Sequence, residues 1–227
     1  MYFEDEPVKC IGKIDKNTLN EITTQVQKKF SDHWQARSLK IFKDQYTLKA
    51  ITPTNNDRIP EADELALREI LLPIITPHIQ ENEQLVYLDL SLMPPKTGTE
   101  IHFDFAWIHV LSRRIVIPID TNEHSILTVL NEKNAISAYN LKNGEVYEFN
   151  NQLWHSANNF GQSDRIHLIA DIIDNEALSY LKKTNKIDSH YCGKLNVFYL
   201  HSNYIKKFKS GLESALKAQA SENFKLF

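Results

Sequence analysis

Polar and apolar residues alternate along this chain in two rhythms. Over residues 16–31, Leu19, Ile22, Val26 and Phe30 recur at intervals of three and four, the period of an amphipathic helix, with Asp15 or Asn17 available as its cap. A second helix is predicted over residues 60–72, with Pro60 near its start; Pro73 and Pro77 are expected to break or restart it. Between the two helices, residues 38–50 hold two strand-like runs consistent with a hairpin at a sheet edge, and residues 52–57 read as loop. From residue 85 the period changes to two. Short strands are predicted over residues 85–92, 101–108, 113–119, 125–130, 135–140, 145–149 and 165–173. Regular short strands of this kind predict a mainly β sandwich or barrel with flanking helices, and a double-layer jelly roll can hold a metal between its sheets. After residue 174 the pattern turns helical again. Residues 204–216 carry a helical stripe whose basic side reads as a solvated face.

Strand parity singles out a set of polar side chains. In Glu100-Ile-His-Phe-Asp-Phe-Ala-Trp-Ile108 a strand sends His102 and Asp104 to one side and Ile101, Phe103 and Phe105 to the other. His155 stands just beyond the predicted strand that follows Gly144, and Arg165 opens the next alternating run ten positions later. Two imidazoles and one carboxylate on one face of a metal are the ligand set of non-haem Fe(II) oxygenases, so His102, Asp104 and His155 are the candidate metal ligands and catalytic centre. The planar fork of Arg165 can bind a carboxylate by two parallel hydrogen bonds, which a lysine cannot do. Ser91 falls in register with Tyr87 and Asp89, opposite Val86, Leu88, Leu90 and Leu92, on the side expected to face a cavity. Arg114 shares a face with Val116 and Pro118, whereas Arg113 goes with Ile115, Ile117 and Ile119. His109, His124 and His167 read as hydrogen-bonded structural histidines, and His33, His78, His190 and His201 have no partner at a metal-ligand spacing.

Composition narrows the setting. A chain of 227 residues suits one well-cored domain, organised here as residues 1–84 supporting the sheet, 85–174 forming the jelly-roll core and 175–227 as a helical extension. With 26 Lys+Arg against 29 Asp+Glu and a formal charge of -3, there is no basic stripe for nucleic acid. The amino terminus lacks the regions of a signal peptide and no run approaches a membrane span, so a cytoplasmic protein is expected. The two cysteines, Cys10 and Cys192, are expected to be reduced thiols there.

The segment from about residue 85 to 174 resembles the aspartyl/asparaginyl β-hydroxylase family of Fe(II)- and 2-oxoglutarate-dependent oxygenases, which includes the cis-proline hydroxylases. Ser91-Leu-Met-Pro-Pro-Lys-Thr-Gly98 before His102 resembles the family's serine, turn and first iron-binding histidine. Arg114-Ile-Val-Ile-Pro-Ile119 with Thr121 and Asn122, the stretch from Gly144 to His155, and the run from Arg165 to Asp171 match its later motifs. The resemblance implies a double-stranded β-helix of the cupin-like jelly-roll type. It also implies that Arg165 anchors the distal carboxylate of 2-oxoglutarate, assisted by Ser91 and Arg114. Val116 stands where many relatives carry a histidine, so one polar contact to the cosubstrate or metal shell is missing. Asp104 is retained, as in the full-triad branch to which the cis-proline hydroxylases belong.

The expected activity is therefore hydroxylation of an unactivated C–H bond with Fe(II), 2-oxoglutarate and O2, releasing succinate and CO2. A free amino acid or an amino-acid residue in a peptide is the substrate that the resemblance implies. Tyr87, Trp107, His109, Trp154 and Asn158 are candidate lining residues; Trp107 reads equally as a surface aromatic packed under a helix. Two alternatives stand beside this reading: a non-catalytic module that binds a metal and a small acid, and a cupin-type Zn or Mn enzyme.

Overall fold

The computed structural model describes residues 6–32, 34–36, 46–51, 62–102, 104, 112–130, 135–151 and 153–175. Its strands are β1 (Val8–Lys13), β2 (Gln35–Ala36), β3 (Tyr46–Ile51), β4 (Glu83–Met93), β5 (Thr97–Gly98) and β6 (Arg113–Asp120). They continue with β7 (Ser125–Leu130), β8 (Ile136–Tyr139), β9 (Glu145–Phe149), β10 (Trp154–Asn159) and β11 (Arg165–Asp174). Two helices, α1 (Lys16–Phe30) and α2 (Ala62–Ile75), precede β4. The strands form a seven-stranded sheet in the order β1-β9-β6-β11-β4-β3-β2 and a four-stranded sheet in the order β5-β10-β7-β8. Every pairing between these strands is antiparallel.

Period two decides what lies on each side of the large sheet. One face presents Leu88 and Leu90 from β4, Ile115, Ile117 and Ile119 from β6, and Ile166, Leu168, Ala170 and Ile172 from β11. These pack in one cluster with Ile22, Val26 and Phe30 of α1 and Leu67, Ile70, Leu71, Ile74 and Ile75 of α2. Each such side chain taken out of water contributes about 1.5–3 kcal/mol, so the apolar faces fix which way the sheet is turned. The opposite face bears Val8, Val116, Tyr147 and Phe149, which cluster with Val129 of β7 and Leu141, together with the buried polar side chains Asp89, Ser91, Arg114, Arg165, His167 and Asp171.

The helix ends have local causes. Asp15 caps α1, its Oδ1 accepting from the backbone N–H groups of Asn17 and Thr18 at 3.0 Å each. Those bonds and the Thr18 hydroxyl hold the Asp15 carboxyl below its usual pKa. Pro73 does not end α2 as its sequence suggests: it lies inside the helix, which runs on to Ile75 before a single 3-10 turn at Thr76–His78. Ile74 and Ile75 are both buried, and their packing outweighs the one backbone hydrogen bond that Pro73 cannot donate.

Four strands are absent from the sequence reading, among them the two-residue β2, which precedes the predicted 38–50 hairpin. β1 is an edge strand that buries only Val8, so it carries almost no alternation. β5 is two residues long within a stretch that reads as turn. β10 begins at Trp154, so His155, beyond β9 as expected, lies inside a further strand whose bounds the sequence does not mark. Of the strand predicted over residues 101–108, His102 forms an isolated bridge to His155 and Asp104 is outside any strand; residues 103 and 105–108 lie outside the described set. The turn of the predicted 38–50 hairpin, the loop at 52–57, Trp107, His109, Cys192 and the helix at 204–216 also fall outside it. Among the described residues no helix is long and apolar enough to cross a membrane.

Candidate metal centre

A break in the β-ladder builds the centre. His102 and His155 exchange both backbone hydrogen bonds, His102 N to His155 O at 2.9 Å and His155 N to His102 O at 2.7 Å. An antiparallel ladder continuing in either direction would use the carbonyls of Leu153 and Glu100 next. Both are taken by the histidine rings: His155 Nδ1 lies 2.7 Å from Leu153 O, and His102 Nδ1 lies 2.7 Å from Glu100 O. The ladder therefore closes after one bridge. The displaced donors find other acceptors, Asp104 N bonding Asn151 O at 3.1 Å and Ala157 N bonding Thr99 Oγ1 at 2.8 Å.

The same two carbonyls set the tautomers. A carbonyl oxygen only accepts, so each Nδ1 carries the proton and each Nε2 keeps its lone pair for a metal. Burial, then the neighbouring His102 ring and the Arg114 charge, push the pKa of His155 down to about 4 against the opposing pull of Asp104. His155 is thus neutral at neutral pH, the state that binds metal.

Asp104 is also oriented. Its Oδ2 accepts from Arg114 Nη1 and from Asn151 Nδ2, the latter at 3.2 Å, while Oδ1 faces His102 Nε2 at 3.9 Å. One carboxylate oxygen is held by the protein and the other is turned toward the imidazoles. Ligand atoms of His102, Asp104 and His155 all lie within 4.8 Å of one another, so a small side-chain adjustment brings them within the roughly 4 Å that two metal–ligand bonds of about 2 Å can span. Two imidazoles and a monodentate carboxylate fit ferrous iron, leaving coordination positions open.

Arg114 connects this carboxylate to the large sheet. Its Nε and Nη2 reach Asp171 Oδ1 and Oδ2 at 2.9 Å each, a two-point fork, while Nη1 goes to Asp104. Burial alone would lower the pKa of Arg114, but the Asp171 and Asp104 carboxylates outweigh it and raise it, so the guanidinium is permanently charged. The resemblance assigns Arg114 to the cosubstrate; in the structure its guanidinium is engaged with these two carboxylates. Asp171 is the residue that sequence reasoning missed, although the alternation of β11 already placed it on the face of Arg165.

Asp171→Asn is expected to weaken Fe(II) binding by roughly 10- to 100-fold, the usual cost of losing a partner behind a metal ligand. Metal titration of the variant checks this, and an unchanged affinity would mean that Arg114 holds Asp104 without its anchor.

The remaining candidates separate by face. Residues opposite one another across a ladder point the same way, and β11 pairs Arg165 with Met93, His167 with Ser91, Ile169 with Asp89 and Asp171 with Tyr87. Ser91, Arg165 and Tyr87 therefore share the inner face with Arg114. Arg165 is buried, with Nη1 3.5 Å from Met93 Sδ, and the Tyr87 hydroxyl donates to Asp89 Oδ2. Trp154 and Asn158 alternate with His155 along β10, so they lie on the other side of that strand, away from the metal group. Asn158 Nδ2 bonds Ser156 Oγ there at 2.7 Å.

Comparison with known proteins places the fold and the family. Three solved structures share the fold at low identity. An oxidoreductase of the 2OG-Fe(II) oxygenase family from Burkholderia pseudomallei is 10% identical, over 74% of this chain and 86% of that one, at a TM-score of 0.54. A Pseudomonas putida prolyl-4-hydroxylase is 11% identical over 75% and 94%, at 0.51. A prolyl hydroxylase from Trichoplax adhaerens, in complex with a peptide fragment of the hypoxia inducible factor oxygen degradation domain, is 12% identical over 77% and 88%, at 0.55. The shared architecture is the double-stranded β-helix that the family resemblance implies, and it fits the sandwich expected from the strand pattern. No curated protein matches the chain. The family model for aspartyl/asparaginyl β-hydroxylase matches residues 9–175, which span both sheets and all three metal-ligand candidates. The chain belongs to the aspartyl/asparaginyl β-hydroxylase family, and with it to the iron- and 2-oxoglutarate-dependent hydroxylases.

Proposed function

We propose that this protein hydroxylates an unactivated C–H bond of a free amino acid, or of an amino-acid residue in a peptide. The observation that carries the reading is the convergence of His102, Asp104 and His155, each oriented by its own hydrogen bonds, beside an inner sheet face that bears Arg165 and Ser91. Ferrous iron bound there supplies the activation of O2 coupled to decarboxylation of 2-oxoglutarate to succinate and CO2. The chain's own share is binding, orientation and exclusion of water.

His102, Asp104 and His155 would hold the metal through Nε2, Oδ1 and Nε2. Arg165 takes the distal carboxylate of 2-oxoglutarate in its planar fork, and the Ser91 hydroxyl donates to the same group. Arg114 acts one step back, keeping Asp104 turned toward the imidazoles while Asp171 fixes its own plane. Tyr87 is the lining residue that the inner face retains among the described candidates. Trp107 and His109 remain lining candidates of this reading. The family, together with the prolyl hydroxylases among the similar structures, supports an amino-acid or peptide substrate. A reducing, cytoplasmic setting belongs to the same reading, because ferrous iron persists there.

Anaerobic Fe(II) and 2-oxoglutarate added to the purified protein are expected to give the visible charge-transfer band of a chelated keto acid. Admission of air is then expected to release succinate slowly even without substrate. A zinc or manganese enzyme that does not chelate the keto acid on iron gives neither signal, and a binding module without turnover releases no succinate. A panel of amino acids and peptides scored by faster succinate release then identifies the substrate; stimulation by none of them would count against this class.

A further inference from the structure

β11 carries a histidine with no task in the centre described above. His167 is 3% exposed, and neither ring nitrogen has a hydrogen-bond partner among the described residues. Buried polar groups in native proteins are almost always paired, so two orphaned nitrogens on one ring mark a place where something else binds. Its neighbours say what. His167 lies opposite Ser91 on β4 and opposite Pro118 on β6, and shares its face with Arg165 two positions away. Val116 and Ile169, the next pair toward Arg114, are apolar. Asp89, in the same row, accepts from the Tyr87 hydroxyl. The charged group acting on His167 is Arg165: burial first, and then that guanidinium, hold the imidazole well below its usual pKa. The ring is therefore neutral, with one N–H to give.

We propose that His167 is a cosubstrate-binding residue whose imidazole N–H donates to the carboxylate held by Arg165 and Ser91. An ionised carboxylate offers about four lone-pair sites. The fork of Arg165 uses two and the Ser91 hydroxyl a third, so His167 completes the set. A neutral donor suits this position, because a second full positive charge beside Arg165 would be repelled in a buried site. This inference rests on the reading that 2-oxoglutarate binds along this face, and it adds a recognition element on β11 itself.

The test is anaerobic titration of the Fe(II)-loaded protein with 2-oxoglutarate, followed by the charge-transfer band, for wild type, His167→Leu and His167→Gln. His167→Leu is expected to raise the Kd for 2-oxoglutarate roughly 10- to 100-fold, as loss of one hydrogen bond to a charged group does. His167→Gln, which keeps an N–H, is expected to recover most of that loss, and Fe(II) affinity is expected to stay unchanged in both. Wild-type affinity in His167→Leu, or equal weakness in both variants, overturns the proposal. Absence of any band in wild type sinks the underlying site reading instead, so the two failures are distinguishable. Should His167→Leu not fold, 15N shifts of the imidazole in the wild-type zinc-loaded protein carry the test. Addition of 2-oxoglutarate is then expected to move one ring nitrogen toward a hydrogen-bonded N–H, and an unmoved ring under saturating ligand would refute the assignment.

Discussion

His155→Ala is expected to abolish Fe(II) retention while leaving both sheets standing. The imidazole supplies one of three protein ligand atoms in the described group, and its described neighbours Asn151 and Arg114 are both bonded to Asp104. Loss of a partner behind a ligand costs about 10- to 100-fold in affinity, and loss of the ligand itself costs more. The backbone survives because alanine keeps both bonds to His102, and β10 remains paired with β7 from Trp154 to Asn159. Metal analysis after desalting reads the first effect and circular dichroism the second. A variant that still carries one equivalent of iron would remove His155 from the centre.

Arg165→Ala is expected to divide the two binding events differently: iron stays, and 2-oxoglutarate is lost. Arg165 is not among the ligand group, and its Nη1 lies 3.5 Å from Met93 Sδ. Truncating one partner of a buried, hydrogen-bonded charge pair costs about 2–5 kcal/mol, which is roughly 30- to several-thousand-fold in Kd. Arg165→Lys is expected to recover only part of this, because an ammonium is a point charge without the two-pronged geometry. Titrating iron and keto acid separately on each variant decides the matter. Equal loss of both ligands in Arg165→Ala would show that the guanidinium supports the fold rather than the cosubstrate.

Burial orders these residues by how readily a sequence reveals them. Alternation along β4, β6 and β11 separated Ser91, Arg114 and Arg165 from the leucines and isoleucines between them, because side-chain direction in a strand is a local property. The isoleucines of β6 then pack under the helices and Arg114 points inward, in keeping with that pattern. β7 and β9 match their predicted bounds for the same reason. The failures have local causes too. β1 and β5 are too short or too exposed to alternate, and Pro73 is tolerated because Ile74 and Ile75 reward the extra turn. His167, read from sequence as a satisfied structural histidine, is the plainest reversal: its place on the face of Arg165 follows from alternation, and its lack of a hydrogen-bond partner among the described residues does not.

Residue order alone thus set the faces: which side chains lie on the apolar side of each strand and which on the polar side, since period two requires no knowledge of neighbours. Tertiary structure decided the partners. That Glu100 and Leu153 give their carbonyls to imidazoles, so that the ladder stops and Asp104 swings to Asn151, depends on two segments meeting in space. That Arg114 bridges Asp171 and Asp104 depends on strands far apart in sequence lying side by side. Hydrogen bonds are made across distances set by packing, and packing is a property of the whole chain.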